Sequence, residues 1–200
     1  MKLELKMFTF QGSPVYFRLW FLLLFAWVSP SIVVAIFLSV LVHELAHAFV
    51  ANRLGYRVRQ IYIDLFYGAA EIDLEHCPER DAIQIIGAGP ISNLLLAIVS
   101  FGLYAVTGIP FLTEMIVVNV VLLIFNILPI YPMDGGRIFR SFLMMNMSSN
   151  RRLAKKISDW TSLVSSISLL AYCVYTSSLL LGIFSALFIY FALKELKFIK

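Results

Sequence analysis

Six apolar runs, separated by short polar or charged stretches, dominate the pattern of hydrophobic positions along the chain. They cover residues 16–28, 31–54, 83–107, 112–130, 157–175 and 178–193. A helix needs roughly 20 mainly apolar residues to cross the hydrocarbon core of a bilayer. The pattern therefore predicts an all-α polytopic membrane protein with about six transmembrane helices, of which the first is short.

The connection between the second and third predicted helices has a different periodicity. Apolar positions alternate along it in steps of two, with Ile61, Ile63 and Leu65 on one side and Tyr62, Asp64 and Phe66 on the other. Alternation of this kind is typical of a strand. We predict a short membrane-associated β-hairpin or edge strand over residues 62–72, and a plain surface loop is the alternative.

Composition and charge support a membrane location. Hydrophobic residues make up 60% of the 200 positions and charged residues only 14%, which excludes an ordinary soluble domain. Lys and Arg cluster before the first run, around the second connection, between the fourth and fifth runs and after the sixth. The positive-inside rule then predicts that both termini are cytoplasmic. The net charge of +4 indicates topology and attraction to membrane lipid, and nucleic acid is not an expected partner.

The second apolar run contains His43, Glu44 and His47, which match the pattern H-E-x-x-H. Residues four apart on a helix lie one above the other, so the two imidazoles can bind one metal ion beside the carboxylate. The alternative is a set of hydrogen bonds inside a polar helix interface. Because a carboxylate near the bilayer interior costs on the order of 3 kcal/mol on insertion scales, the metal site is the favoured interpretation.

A catalytic zinc ion takes three protein ligands, so one more ligand is needed. Asp134 is the best candidate, because Pro129, Pro132, Gly135 and Gly136 interrupt the fourth run around it. Such a break lets the chain leave the helix and direct a carboxylate inward. The alternative is an ordinary helix end capped by glycine.

Together these residues resemble the site-2 protease family of intramembrane metalloproteases. That family pairs H-E-x-x-H on one span with N-x-x-P-x-x-P-x-D-G on a later span. The second motif is matched here by Asn126, Pro129, Pro132, Asp134 and Gly135. The subgroup of the sporulation protease that processes a pro-sigma factor is the most similar. Its CBS domain, and the PDZ domain of other branches, have no counterpart, so we expect residues 1–200 to form a single intramembrane metalloprotease domain.

The resemblance implies an activity and a set of site residues. It implies a zinc metalloendopeptidase with one Zn²⁺ per chain, held by His43, His47 and Asp134, and with Glu44 as general base. It also implies that substrate contacts Asn126 and Asn93, the last residue of a G-x-x-x-N element. Further substrate contacts are implied in the strand segment that includes Gly68 and Glu71.

The resemblance further implies a location and partners. We expect a multi-pass protein of a prokaryotic cell membrane whose substrate is a transmembrane or membrane-associated protein. A homo-oligomer and an inhibitory membrane partner stay open. The alternative functions are a zinc-binding membrane transporter and an inactive protease-like scaffold, and a prenyl-protease type is disfavoured because its third ligand is a glutamate.

Overall fold

The computed structural model describes residues 4–63, 69–74, 77–177 and 179–196. The chain divides into two compact units. The first unit contains Met1–Cys77 and Gly87–Ile124, and the second contains Pro78–Ile86 and Phe125–Lys200. Each unit is described by itself below.

A four-stranded sheet forms one part of the first unit. Its strands, in spatial order, are β1 (Glu4–Phe10), β2 (Ser13–Arg18), β3 (Val58–Ile63) and β4 (Ala69–Ile72). The β1–β2 and β3–β4 pairs are antiparallel, whereas β2 and β3 are parallel. The alternating segment at residues 62–72 overlaps β3 and β4, and residues 64–68 between them lie outside the described part of the chain.

The N-terminal strands correct two predictions. Residues 16–28 do not form a membrane-crossing helix, because residues up to Arg18 belong to β2 and Leu19–Ala26 form a 3-10 helix. Eight residues at a rise of about 2 Å span roughly 16 Å, which is about half of a bilayer core. The fold is therefore mostly helical with a small sheet, and the predicted all-α class is wrong.

A turn and two strand neighbours explain this departure. Gln11 and Gly12 have φ angles of 48° and 87°, so they form the kind of two-residue turn that joins antiparallel strands. The pairing of β2 with β1 on one side and with β3 on the other then satisfies its backbone groups. Apolar content alone does not reveal this pairing, because β3 lies far away in sequence.

Three helices complete the first unit: α1 (Pro30–Arg53), the part of α2 (Glu79–Thr107) from Gly87 onward, and α3 (Pro110–Ile127) up to Ile124. The hydroxyl of Ser29 caps the start of α1, and Pro30 occupies the first turn. The buried positions of α1 recur every three or four residues and include Ser39, His43 and His47. One face of this apolar helix therefore carries polar groups into the interior of the unit.

The second unit contains α4 (Asp134–Asn146), α5 (Arg151–Thr176) and α6 (Leu179–Glu195). A network of charged side chains around the buried Asp159 connects these helices. Arg140 on α4 donates to Asp159 on α5 at 2.7 Å and to Glu195 at the end of α6 at 3.3 Å. Lys155 donates to the same two carboxylates at 2.8 and 3.0 Å. The network joins all three helices at one end.

Four helical segments in the described part of the chain are long and apolar enough to cross a membrane. They are Pro30–Arg53, Glu79–Thr107, Pro110–Ile127 and Ser148–Thr176, which overlap the second to fifth predicted spans. The 17-residue α6 overlaps the sixth predicted span and is not among the four. The chain is an integral membrane protein, whereas the count of six spans and the orientation stay predictions.

Candidate metal centre

His43 and His47 direct their ring nitrogens toward each other from successive turns of α1. Their Nε2 atoms are 3.1 Å apart, and their rings are nearly perpendicular, with an interplanar angle of 86°. Glu44 belongs to the same cluster, in which one potential ligand atom from each residue lies within 4.8 Å of the others. All three side chains are buried, with at most 6% exposure.

The donor set fits a zinc ion. Two nitrogens bound to tetrahedral zinc at 2.0–2.1 Å lie about 3.3 Å apart, close to the observed separation. The space beside them is kept open by Gly89 on α2. A Cβ atom at this position would overlap His47 Nε2 and would lie 2.5 Å from His43 Nε2. The glycine therefore leaves room for an ion against both nitrogens.

The other ring nitrogen of His43 is held by α2. Nδ1 of His43 lies 2.5 Å from Oδ1 of Asn93, a residue with no solvent exposure. Ligating histidines usually hydrogen-bond through the ring nitrogen that does not face the metal, which fixes their orientation. Asn93 was predicted to contact substrate, but both ends of its amide are engaged, by His43 and by Asn119. Its location is that of a histidine partner.

Glu44 contacts the sheet. The backbone N–H of Ala70 in β4 donates to Oε2 of Glu44 at 2.9 Å. Next to β4, the ring of Tyr62 stacks on Tyr16 and is covered by the Arg18 guanidinium, 4.5 Å from the ring centroid. Burial and the nearby Glu71 carboxylate raise the pKa of the Tyr62 phenol, so its hydroxyl stays protonated at neutral pH.

Asp134 begins α4 in the second unit and is buried, with 6% exposure. The two glycines that follow it pack tightly against the preceding segment of chain. A Cβ atom at Gly135 would overlap the carbonyl groups of Ile127 and Leu128, and one at Gly136 would overlap the backbone of Ile130 and Tyr131. The backbone conformation between α3 and α4 therefore requires glycine at both positions. Arg137 lies at 4.0 Å from the Asp134 carboxylate.

The remaining predicted site residues have different surroundings. Asn126 is half-buried in the last turn of α3. Glu71 is exposed on β4 and accepts a hydrogen bond of 2.7 Å from Gln60. Gly68 lies outside the described residues.

Two buried polar residues near the centre were not predicted. Asn119 on α3 and Ser39 on α1 have no solvent exposure and are joined by a hydrogen bond of 2.8 Å. Each lies within an otherwise apolar helix. A polar side chain in such a helix is costly and marks a candidate functional position, so this signal was present in the sequence.

Comparison with known proteins adds independent information. A model of peptidase family M50 matches residues 31–109 and 105–172. The chain is 27% identical to a zinc metalloprotease of Methanocaldococcus jannaschii over 98% of the chain. It is 32% identical to stage IV sporulation protein FB of Bacillus subtilis over 63% of the chain. The chain spans 61% and 44% of the length of these two relatives.

A solved structure has a similar fold. The site-2 protease from Methanocaldococcus jannaschii matches with a TM-score of 0.69 over 96% of this chain and 94% of that chain, at 24% identity. The aligned part includes nearly the whole chain, so the helices and the sheet follow one shared architecture.

Proposed function

The chain belongs to peptidase family M50, and we propose that it is a zinc-dependent intramembrane endopeptidase. Its substrates are membrane proteins that it cleaves in or near their transmembrane segments. The observation that carries this proposal is the buried pair of His43 and His47 Nε2 atoms, 3.1 Å apart and next to Glu44 on an apolar helix. Two buried imidazoles whose Nε2 atoms face each other beside a carboxylate are the arrangement that a catalytic metal ion requires.

His43 and His47 would hold the metal, and the sequence-based assignment of Asp134 as third ligand is part of the proposal. Zinc, when bound, supplies a Lewis acid that acidifies water and polarises the scissile carbonyl. The support for Asp134 is its motif and its burial at the start of α4, next to two glycines that hold the break in place.

Glu44 supplies acid–base chemistry. Its carboxylate takes a proton from the attacking water and then delivers that proton to the leaving amine. The Ala70 N–H donates to one carboxylate oxygen at 2.9 Å and so orients the group. Asn126 is proposed, from its place in the motif, to hold the substrate backbone with its amide.

Substrate engagement is proposed to use β4. The Ala70 N–H donates to Glu44 and so faces away from β3, which pairs with β4 on the other side. Among the described strands, β4 has no second neighbour. An extended peptide added along this edge would pass beside Glu44, and its backbone would be held by strand pairing. A transmembrane helix has to unwind locally before it can bind in this way.

A direct test compares the wild type with Glu44→Gln. The purified chain is incubated in detergent with fluorophore-labelled casein and with a single-span peptide that contains a helix-weakening glycine pair. We expect the wild type to cleave at least one probe and the variant to lose on the order of 10²–10⁴ in rate with its zinc content unchanged. Equal cleavage by both proteins would contradict the assignment of Glu44.

A further inference from the structure

A chain of buried hydrogen bonds runs from the backbone of α3 to the imidazole of His43. Nδ2 of Asn119 donates to the carbonyl oxygen of Met115 at 2.8 Å and to Oγ of Ser39 at 2.8 Å. Nδ2 of Asn93 donates to Oδ1 of Asn119 at 2.8 Å. Oδ1 of Asn93 lies 2.5 Å from Nδ1 of His43. The side chains of Asn93, Asn119 and Ser39 have no solvent exposure.

The donor and acceptor roles along this series of hydrogen bonds are fixed at its Met115 end. A backbone carbonyl can only accept hydrogen bonds, so the side of the Asn119 amide that faces Met115 has to be its NH₂ group. Oδ1 of Asn119 then faces Asn93, which has to present its own NH₂ group in return. The carbonyl of Asn93 is therefore left for His43, and Nδ1 of His43 has to carry the proton.

We propose that Asn119 is a positioning residue that sets the tautomer of His43. With the proton held on Nδ1, the lone pair of Nε2 faces His47 Nε2 and the space beside Gly89, as a metal ligand requires. This inference rests on the proposed function in one respect only, namely that the Nε2 atoms bind the metal. The orientation of the amides and of the ring follows from the hydrogen bonds alone.

The alternative orientation is internally inconsistent. If the Asn119 amide were reversed, its oxygen would face the Met115 oxygen, and its NH₂ group would face the NH₂ group of Asn93. If Asn93 reversed alone, its oxygen would face Oδ1 of Asn119, and its NH₂ group would face His43 and favour a bare Nδ1. These amides have no solvent exposure, so each reversed orientation places two donors or two acceptors against each other in the interior, which is costly.

Ser39 provides the matched control. Its hydroxyl can rotate to donate or accept, so it does not determine the direction of the chain. Ser39→Ala removes a buried polar group of the same network, but the bond from Asn119 to Met115 remains. Asn119→Leu removes the group that fixes the direction and leaves Asn93 free to turn. A merely structural role would make the two variants alike in metal affinity.

The test measures the zinc dissociation constant by competition with a chelator. It also measures the ring ¹⁵N shifts of histidine-labelled, metal-free protein, with His43 assigned by substitution of the other two histidines. In Asn119→Leu we expect zinc binding to weaken by about 10-fold or more and the Nδ1-protonated form of His43 to lose its dominance. In Ser39→Ala we expect the wild-type tautomer and a zinc affinity within about threefold of wild type.

A rescue variant separates positioning from folding. Asn93→Asp offers His43 only acceptor atoms, so the double variant N93D/N119L no longer needs a directed amide and is expected to regain most of the lost zinc affinity. An unchanged His43 tautomer in Asn119→Leu, or equal losses in Ser39→Ala and Asn119→Leu, would overturn the proposal. A wild type that binds no zinc would refute the proposed function, and the ¹⁵N shifts would still test the orientation of His43.

Discussion

The backbone N–H of Ala70 donates a hydrogen bond to Oε2 of Glu44 at 2.9 Å, which connects strand β4 to the carboxylate of the H-E-x-x-H motif. Strand and helix come from segments separated by 26 residues. The contact places an edge suited to an extended peptide next to the group proposed to move the proton. In the proposed mechanism, substrate binding and acid–base chemistry are therefore linked through a single backbone position.

The first prediction concerns this edge. Ala70→Pro removes the N–H that reaches Glu44 and blocks strand addition at that position. We expect cleavage of the probe substrates to fall at least about tenfold, while the zinc content stays at the wild-type level.

Met7→Pro is the control for the edge, because it alters the opposite edge strand β1 at its bulge between Lys6 and Phe8. It should leave cleavage nearly unchanged. If both proline variants cleave like the wild type, the β4 edge does not bind substrate.

The second prediction concerns the space beside the two imidazoles. Gly89→Ala adds a Cβ atom that overlaps His47 Nε2, so the variant should bind zinc at least about tenfold more weakly. Gly87→Ala and Gly102→Ala, on the same helix, meet no atom within 4 Å and should bind zinc normally. Chelator competition measures all three. Normal binding by Gly89→Ala would show that the metal does not lie there.

The third prediction concerns stability of the second unit. Arg140 pairs with Asp159, whose side chain is only 5% exposed, and covers the ring of Tyr131 at 4.4 Å. Arg140→Met should destabilise the protein by roughly 2 kcal/mol, because it removes one partner of a buried carboxylate that Lys155 still pairs with.

Arg151→Met is the matched control for that change. Arg151 is 62% exposed and pairs with Glu79, so its loss should cost less than about 1 kcal/mol. Unfolding of both variants in detergent gives the comparison. Equal effects would mean that the ionic network around Arg140 contributes no more than a surface pair.

The fourth prediction concerns acid sensitivity. Burial opposes the charged form of Glu195, but hydrogen bonds and charge from Lys155 and Arg140 outweigh it and lower the pKa of this carboxyl. A lowered folded-state pKa gives stability that is present above the ordinary value and is lost as pH falls through the folded-state value. The stability that Glu195 contributes should therefore decline below about pH 4.5. Glu195→Gln should weaken this decline, and an identical acid profile would contradict it.

Local sequence signals predicted much of the molecule. The apolar runs located α1, α2, α3 and α5, because length and hydropathy alone decide whether a helix can cross a bilayer. His43, Glu44 and His47 were predicted as one group because helical spacing determines which residues share a face. Their burial together on α1 follows from the same spacing.

The features that the sequence did not predict depend on contacts between residues far apart in the chain. Tyr16 and Phe17 belong to a strand because Tyr62 and Ile63 of β3, far away in sequence, pair with them. The bond from Asn93 to Asn119 joins two different helices, and neither helix indicates it alone. The Gln11–Gly12 turn and the isolated polar Asn119 were visible as local signals, but their partners depend on tertiary structure.

The proposed function depends on a catalytic zinc ion that His43 and His47 hold, with Asp134 as the third ligand. Elemental mass spectrometry of detergent-purified wild type, His47→Ala and Asp134→Ala tests it most directly. We expect about one zinc per wild-type chain and sharply less in both variants. Wild-type protein without zinc would contradict the claim as a whole, and full zinc retention by Asp134→Ala would contradict the third ligand.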